Sequence, residues 1–458
     1  FTPPYILDRI IDNGSARQRE RAMETLAQVR ALLPNPGPPS RQPAVSVLPE
    51  RGRPGEPRRS IHDAGQQMLL PGALARIEGQ PLVGDAAVDE AYDALGKTHA
   101  CFWQVFGRDS IDNHGFALIG TVHYGVGYEN AFWNGAQMVF GDGDGEIFNR
   151  FTLSLDVVAH ELTHGIIESE AGLLYLDQSG ALNESISDVF GVLVRQFSLN
   201  QTAQQADWLI GAELLTDRVN GTALRSMANP GSAYDDPLLG KDPQPAHMRD
   251  FIDTRDDNGG VHLNSGIPNR AFYLAAQAIG GYAWEKAGHI WYDTLCDRRL
   301  ANDADFAVFA GLTVDNAATR FGPGSGEVQA VRQAWTDVGV PVPQASQRGE
   351  VMKQLPPLGN EATVRLSRQG GFAALQALSR PREIDLASCD EQQRGQVCSV
   401  LEGCLPLASA AAGQGDRRYY QIELRYRENE RDSQMVLQVP EEQAPGELVR
   451  LWDKGSVI

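Results

Sequence analysis

Two histidines flank a glutamate in the run His160-Glu161-Leu162-Thr163-His164. The run lies in a stretch, Asp156 to Ser169, whose apolar residues recur at three- and four-residue intervals, which predicts a helix. Residues four apart on a helix have Cβ atoms roughly 5–6 Å apart on one face, so both imidazoles can reach one ion. Zinc in catalytic sites takes three protein ligands and a water. Glu184, in Asn183-Glu184-Ser185-Ile186-Ser187-Asp188, supplies the third from the next predicted helix, Ala181 to Phe197. Asp188 stands one turn later on the same face and can accept the second ring N–H of a ligating histidine. Glu161 points off the ligand face, toward the water rather than the metal. Zinc lowers the pKa of that water to about 7, and a carboxylate can take its proton during attack on a peptide carbonyl. The pattern therefore points to zinc-assisted hydrolysis. A His-Glu-x-x-His run alone also arises by chance on amphipathic helices; Glu184 and Asp188 set this one apart. A non-catalytic binding protein is the competing class, and it has no use for the Glu161 carboxylate.

The elements that must position these groups follow from period and composition. With 458 residues, 42% of them hydrophobic, the chain exceeds a single ordinary core and should divide into several domains. Residues 1–33 carry Ile6, Leu7, Ile10 and Ile11, then Met23, Leu26, Val29 and Leu33, the spacing of two short amphipathic helices broken at Asn13-Gly14-Ser15. Residues 34–58 are rich in Pro, Gly and Arg and read as a linker. Arg51, Arg53, Arg58 and the adjoining Arg59 make it either a cleavage region or a solvated tether. Residues 59–152 alternate short apolar runs, such as Ala117-Leu118-Ile119, with glycines and read as a strand-rich lobe. From 153 to 343 the period is helical, with Asn269 to Ala278 and Asp303 to Phe321 as further helices. A polar connector, 344–359, leads to a module over 360–458. There Val364 and Leu366, then Tyr420, Ile422, Leu424 and Tyr426, alternate at period two around a helical pattern from Cys389 to Leu401. The expected class is α+β.

Composition excludes some functions. Lys and Arg total 40 against 59 Asp and Glu, a net charge of −19, which is the wrong sign for a nucleic-acid footprint. No stretch approaches the roughly 20 apolar residues of a membrane span, and the N-terminus lacks the basic and apolar regions of a signal peptide. A bacterial cytoplasmic protein, or one secreted by a non-classical route, is expected. Five scattered cysteines do not make a disulfide framework, although Cys389, Cys398 and Cys404 are near enough in sequence for one bridge.

From about Arg59 to Val342 the chain resembles the thermolysin family of zinc metallopeptidases. The resemblance implies two lobes, β-rich then α-helical, and peptides or proteins as substrates. Asn130-Ala131-Phe132-Trp133 matches the family's edge strand, where Asn130 and the Ala131 carbonyl hold substrate backbone. Tyr175 matches a tyrosine that donates to the oxyanion. In Asp257-Asn258-Gly259-Gly260-Val261-His262, His262 matches the group that stabilises the tetrahedral intermediate and Asp257 the one that orients it. Arg225 matches the arginine on the carbonyl of the leaving side. Phe148, Phe151, Val157, Ile210, Leu214 and Leu224 fall at positions lining the specificity pocket, which implies cleavage on the amino side of bulky hydrophobic residues.

The chain departs from the family at its calcium site. Asp156 and Asp207 match two of the carboxylates, but Arg195 replaces a central glutamate, and Leu209 and Ala212 replace other acids. A guanidinium there argues against calcium and for ion pairs to Asp156 and Asp207. Asp142-Gly143-Asp144-Gly145-Glu146 looks like a calcium loop but lacks the spaced terminal glutamate, and reads as a turn. Pro3-Pro4-Tyr5, Arg58-Arg59-Ser60-Ile61 and the stretch 141–151 resemble the protealysin subgroup, which implies a short propeptide covering the cleft of a zymogen; an arm docked permanently for stability is the alternative. The last module is similar to emfourin, a protein inhibitor of these peptidases, on the strength of Gly370-Gly371-Phe372, Arg380-Pro381 and the later strands. That likeness implies an inhibitor tethered in cis; a C-terminal binding or stabilising domain is the alternative.

Overall fold

The computed structural model describes residues 1–32, 53–342, 355, 362–369, 382–405, 419–428, 431–441 and 444–454. It forms two compact units, Phe1–Val342 and Pro343–Ile458. Most of the linker and connector, with Gly370-Gly371-Phe372 and Arg380-Pro381, lies outside the described residues.

In the first unit, helix α1 (Pro4–Asn13) begins on a proline, whose fixed φ suits a first turn, and ends at Gly14. Helix α2 (Ala16–Leu32) follows at once, as the two apolar periods predict. Ile6, Leu7 and Ile10 are wholly buried and join the main core, each contributing about 1.5–3 kcal/mol. The chain then enters a five-stranded sheet made of β1 (Arg59–Asp63), β2 (Ala73–Ile77), β3 (Leu118–Val122), β4 (Ala131–Trp133) and β5 (Met138–Phe140), in the order β2-β1-β3-β5-β4. β4 lies at one edge, antiparallel to β5.

This lobe also holds a long helix, α3 (Ala86–Phe106), which the strand-rich reading did not anticipate. The signals were present. Asp85 caps its start by accepting from the Val88 N–H, Gly107 ends it at φ 66°, and Val88, Ala91, Tyr92, Leu95 and Phe102 repeat at helical spacing on its buried face.

The helical lobe contains α4 (Leu155–Ser169) and α5 (Asp177–Leu199), two short strand pairs, β6 (Leu209–Ile210) with β7 (Arg225–Ser226) and β8 (Asp235–Asp236) with β9 (Gly240–Lys241), then α6 (Asp257–Asn264), α7 (Gly266–Ile279), α8 (Ala287–Leu295), α9 (Phe306–Phe321) and α10 (Gly326–Asp337). α4 and α5 cross closely because Gly191 has no side chain; a Cβ there would stand 2.6 Å from the Asp156 carbonyl oxygen. That approach brings the histidine face of α4 against the glutamate face of α5.

The second unit is a four-stranded antiparallel sheet, β11-β10-β12-β13, formed by β10 (Thr363–Gln369), β11 (Arg382–Asp385), β12 (Tyr419–Glu428) and β13 (Arg431–Pro440). Helices α11 (Glu391–Cys404) and α12 (Gly446–Lys454) complete it. Val364, Leu366, Tyr420, Ile422 and Leu424, the period-two residues, share one core with Leu401, Leu448 and Leu451. All five cysteines are free thiols, so the bridge left open among Cys389, Cys398 and Cys404 is not formed.

Candidate metal centre and substrate cleft

His160 and His164 on α4 and Glu184 on α5 bring one ligand atom each to within 4.8 Å of one another. Their reach is fixed from behind. His160 Nδ1 lies 2.9 Å from Asp188 Oδ1, and His164 Nδ1 lies 2.8 Å from Asn183 Oδ1, with Ser187 Oγ at 3.1 Å. Each Nδ1 is thus committed to a partner and each Nε2 faces inward, 3.0 Å from the other. Glu184 Oε2 is buried with no hydrogen-bond partner, although it stands 3.5 Å from His160 Nε2. Two inward nitrogens and an unpartnered carboxylate oxygen at that spacing fit a small cation with a preference for N and O donors, as zinc has. Glu161 is 1% exposed and its Oε1 also lacks a hydrogen-bond partner.

The charges settle one another. Burial would raise the Glu184 carboxyl, but the rings of His262, His160 and His164 hold it well below the usual carboxylate range. Burial likewise pushes Asp188 up, and the Arg225 guanidinium with His160 brings it down to about 2. Burial pulls the His160 ring down, yet the neighbouring carboxylates of Asp188 and Glu184 outweigh this and raise it. His164, buried beside His160, is lowered.

Tyr175 and His262 close the other side. The Tyr175 hydroxyl donates to Glu184 Oε1 and lies 3.2 Å from His262 Nε2. His262 Nδ1 sits 2.7 Å from Asp257 Oδ1, whose other oxygen accepts from the His262 N–H at 2.8 Å. The loop before His262 is left-handed over Asp257, Asn258, Gly259 and Gly260, with φ of 53°, 51°, 84° and 75°. A Cβ at Gly259 would meet Asp177 Oδ1 at 2.0 Å, so that position admits only glycine.

The cleft is filled by the chain's own first residues. The Phe1 nitrogen is 3.1 Å from the Ala131 carbonyl oxygen on β4 and 3.5 Å from Glu161 Oε1. The Thr2 N–H donates to Asn130 Oδ1 at 2.7 Å, and the Phe1 carbonyl accepts from Arg225 Nη1 at 3.3 Å. The Phe1 ring meets His160 edge-on at 5.0 Å, lies under the Arg225 guanidinium and belongs to the core containing Phe148, Phe151, Val157, Ile210, Leu214 and Leu224. These six are all buried. Burial of Asp156 raises its carboxyl to about 6; Ser154 Oγ and the Gly211 N–H bond to it, tying the start of α4 to the loop beyond Ile210. Arg195 stands 3.9 Å from Asp156, 3.1 Å from Asp207 and 3.2 Å from Glu213. Asp144 Oδ1 accepts from the N–H groups of Glu146, Ile147 and Phe148, so its loop is a side-chain-stapled turn.

Sequence reasoning missed several members. Asn183 and Ser187 flank Glu184 on α5 and were legible from helical spacing, one residue before it and three after. Asn269, whose Nδ2 donates to Asp188 Oδ2 at 2.9 Å, and Gln244, whose Nε2 donates to the His262 carbonyl at 2.7 Å, carried no local signal.

Comparison with known proteins agrees with this geometry. Residues 1–41 match the protealysin propeptide family, 77–168 the thermolysin metallopeptidase catalytic domain, 171–340 its alpha-helical domain and 366–456 emfourin. An "Extracellular metalloprotease" of Pectobacterium carotovorum subsp. carotovorum is 61% identical over 346 residues, 75% of this chain and 96% of the relative. The solved precursor of protealysin from Serratia proteamaculans is 60% identical, covers 74% of this chain and 99% of its own, and superposes with a TM-score of 0.68. Emfourin from Serratia proteamaculans, described as an M4 family peptidase inhibitor, is 36% identical over 23% of this chain and 96% of its own, with a TM-score of 0.16. Among the described residues no helix is long and apolar enough to cross a membrane. This chain belongs to the thermolysin family of metallopeptidases, with a protealysin-type propeptide before its catalytic domains and an emfourin domain after them.

Proposed function

We propose that the chain is the zymogen of a zinc endopeptidase that cuts on the amino side of bulky hydrophobic residues. One observation carries the reading: His160, His164 and Glu184 bring ligand atoms within 4.8 Å of one another beside a cleft in which the Thr2 N–H and the Phe1 carbonyl are held by Asn130 and Arg225 as peptide backbone would be. His160, His164 and Glu184 would hold the metal, which supplies Lewis acidity for an attacking water and a scissile carbonyl. Glu161, whose buried Oε1 has no hydrogen-bond partner, takes the water's proton and returns it to the leaving nitrogen. Tyr175 and His262 donate to the oxygen that becomes negative. Asp257 keeps the His262 ring turned and supports its cationic form. Asn130 and the Ala131 carbonyl align the substrate as an added edge strand. Asp188 keeps His160 and Arg225 in register.

Residues 1–33 act as the inhibitory propeptide, 34–58 as its linker, 59–152 and 153–343 as the two lobes, 344–359 as connector and 360–458 as an inhibitor module acting in cis. The ion pairs of Arg195 with Asp156, Asp207 and Glu213 support a cluster closed by a guanidinium in place of calcium. The Pectobacterium relative's name supports secretion over a cytoplasmic role. The reading is tested by casein hydrolysis with residues 1–50 and 343–458 removed. Activity abolished by a zinc chelator and restored by zinc is expected; activity indifferent to the chelator overturns it.

A further inference from the structure

Glu129 is wholly buried, and neither of its carboxylate oxygens has a hydrogen-bond partner. It lies directly before Asn130, whose side chain holds Thr2 in the cleft. Its cover is helix α2: Thr25 Oγ1 accepts from the Glu129 N–H at 3.4 Å, and the Arg21 guanidinium packs on Gly127, so close that a Cβ there would meet Arg21 Cζ at 2.9 Å. Beneath it is the turn carrying Asp144, whose Oδ2 is also buried and unpartnered, while Gln18 of α2 donates to Glu146 at 3.1 Å on the same turn. Among the described residues, the charged groups that act on Glu129 are one acid, Asp144, and one base, Arg21, with the buried Tyr128 phenol next to it in sequence.

We propose that Glu129 is a proton-dependent latch for the propeptide: α2 seats over it when the carboxyl is protonated and lifts when it ionises. An unpartnered carboxylate in a buried interface costs far more than the neutral acid, and lifting α2 gives it water. Burial, then repulsion from Asp144, raises its pKa from 4.5 to about 8 in the seated state, against the partial opposition of Arg21. The direction follows. The seated state binds the extra proton, so seating is strongest at low pH and weakens as pH rises toward 8, with no further change above it. Loss of α2 here exposes the segment that ends on Asn130 and Ala131, so alkalinity would free the cleft before any linker bond is cut.

The measurement is amide hydrogen exchange across α2 in the full chain, carrying Glu161→Gln to prevent self-cleavage, from pH 5 to pH 9 and corrected for intrinsic rates. It reads seating alone, so its failure is distinct from failure of the peptidase reading. The opening constant should climb by roughly two to three orders of magnitude between pH 5 and pH 8, then level off. With Glu129→Gln added it should stay flat. With Arg21→Gln instead, the levelling should move to higher pH, because the cation that favours the ionised form is gone. A pH-independent opening constant, the same climb in Glu129→Gln, or an unmoved plateau in Arg21→Gln overturns the proposal.

Discussion

Arg225 grips Asp188 through two buried hydrogen bonds, Nε to Oδ2 at 2.9 Å and Nη2 to Oδ1 at 2.8 Å. The same Oδ1 faces His160 Nδ1, so one carboxylate orients a metal-facing ring and the arginine on the Phe1 carbonyl. Asp188→Asn should therefore weaken zinc binding about 10–100-fold and raise KM together with it. It should also destabilise the fold by about 3–5 kcal/mol, because Arg225 is left as an unpaired buried charge. Zinc competition with a chromogenic chelator, peptide kinetics and thermal melting check the three effects. Unchanged zinc affinity contradicts the role given to Asp188.

Arg195 draws together Asp156, Asp207 and Glu213. Millimolar calcium should leave the melting temperature of the parent chain unchanged. Arg195→Glu replaces the only cation of this cluster with a fourth carboxylate, and should melt lower without calcium and recover with it. Calorimetry showing tight calcium binding to the parent that needs Asp156 would refute the substitution of guanidinium for ion.

His123 links Asp85, the cap of α3, through Nε2 at 3.1 Å to Asp142 through Nδ1 at 2.9 Å. Burial lowers its pKa, but the two carboxylates outweigh that and raise it above 6.5. A folded-state pKa above the unfolded one gives stability that is complete below pH 6.5 and is lost as pH rises through the folded value. Melting temperature should fall across that window in the parent and fall less in His123→Gln. Equal slopes in the two contradict the linkage.

Deleting residues 1–50 should leave activity intact or raise it, since the deletion clears Phe1 and Thr2 from the cleft. If the emfourin domain then inhibits in cis, its effective concentration is of order millimolar, so inhibition should not change on dilution. Removing residues 343–458 as well should raise activity further. The separately expressed module, which has its own core, should restore inhibition that does weaken on dilution. Equal activity with and without the module assigns it another task.

The zinc-facing trio was legible because its spacing is set by one helix and a second that packs on it: His160, His164, Glu184 and Asp188 all stand where a 3.6-residue period puts them. The propeptide helices and the strands of the last module were legible from apolar period for the same reason. Long-range partners were not. Nothing near Asn269 or Gln244 marks them as props for Asp188 and His262, because those contacts join elements far apart in the chain. The seat of Phe1 was hidden for a related reason: an apolar first residue looks the same in sequence whether it fills a pocket or joins a core. Helix α3 was lost to neighbouring strands and glycines, although its cap at Asp85 and stop at Gly107 were readable.

The central claim is that Glu161 does proton transfer at a metal it does not ligate. Its most direct test is Glu161→Gln in the chain lacking residues 1–50 and 343–458, assayed for bound zinc and for hydrolysis of a fluorogenic peptide with leucine or phenylalanine after the scissile bond. One zinc per chain with activity reduced by about 10²–10⁴-fold is the predicted result. Full activity without the carboxylate, or zinc lost along with it, contradicts the account.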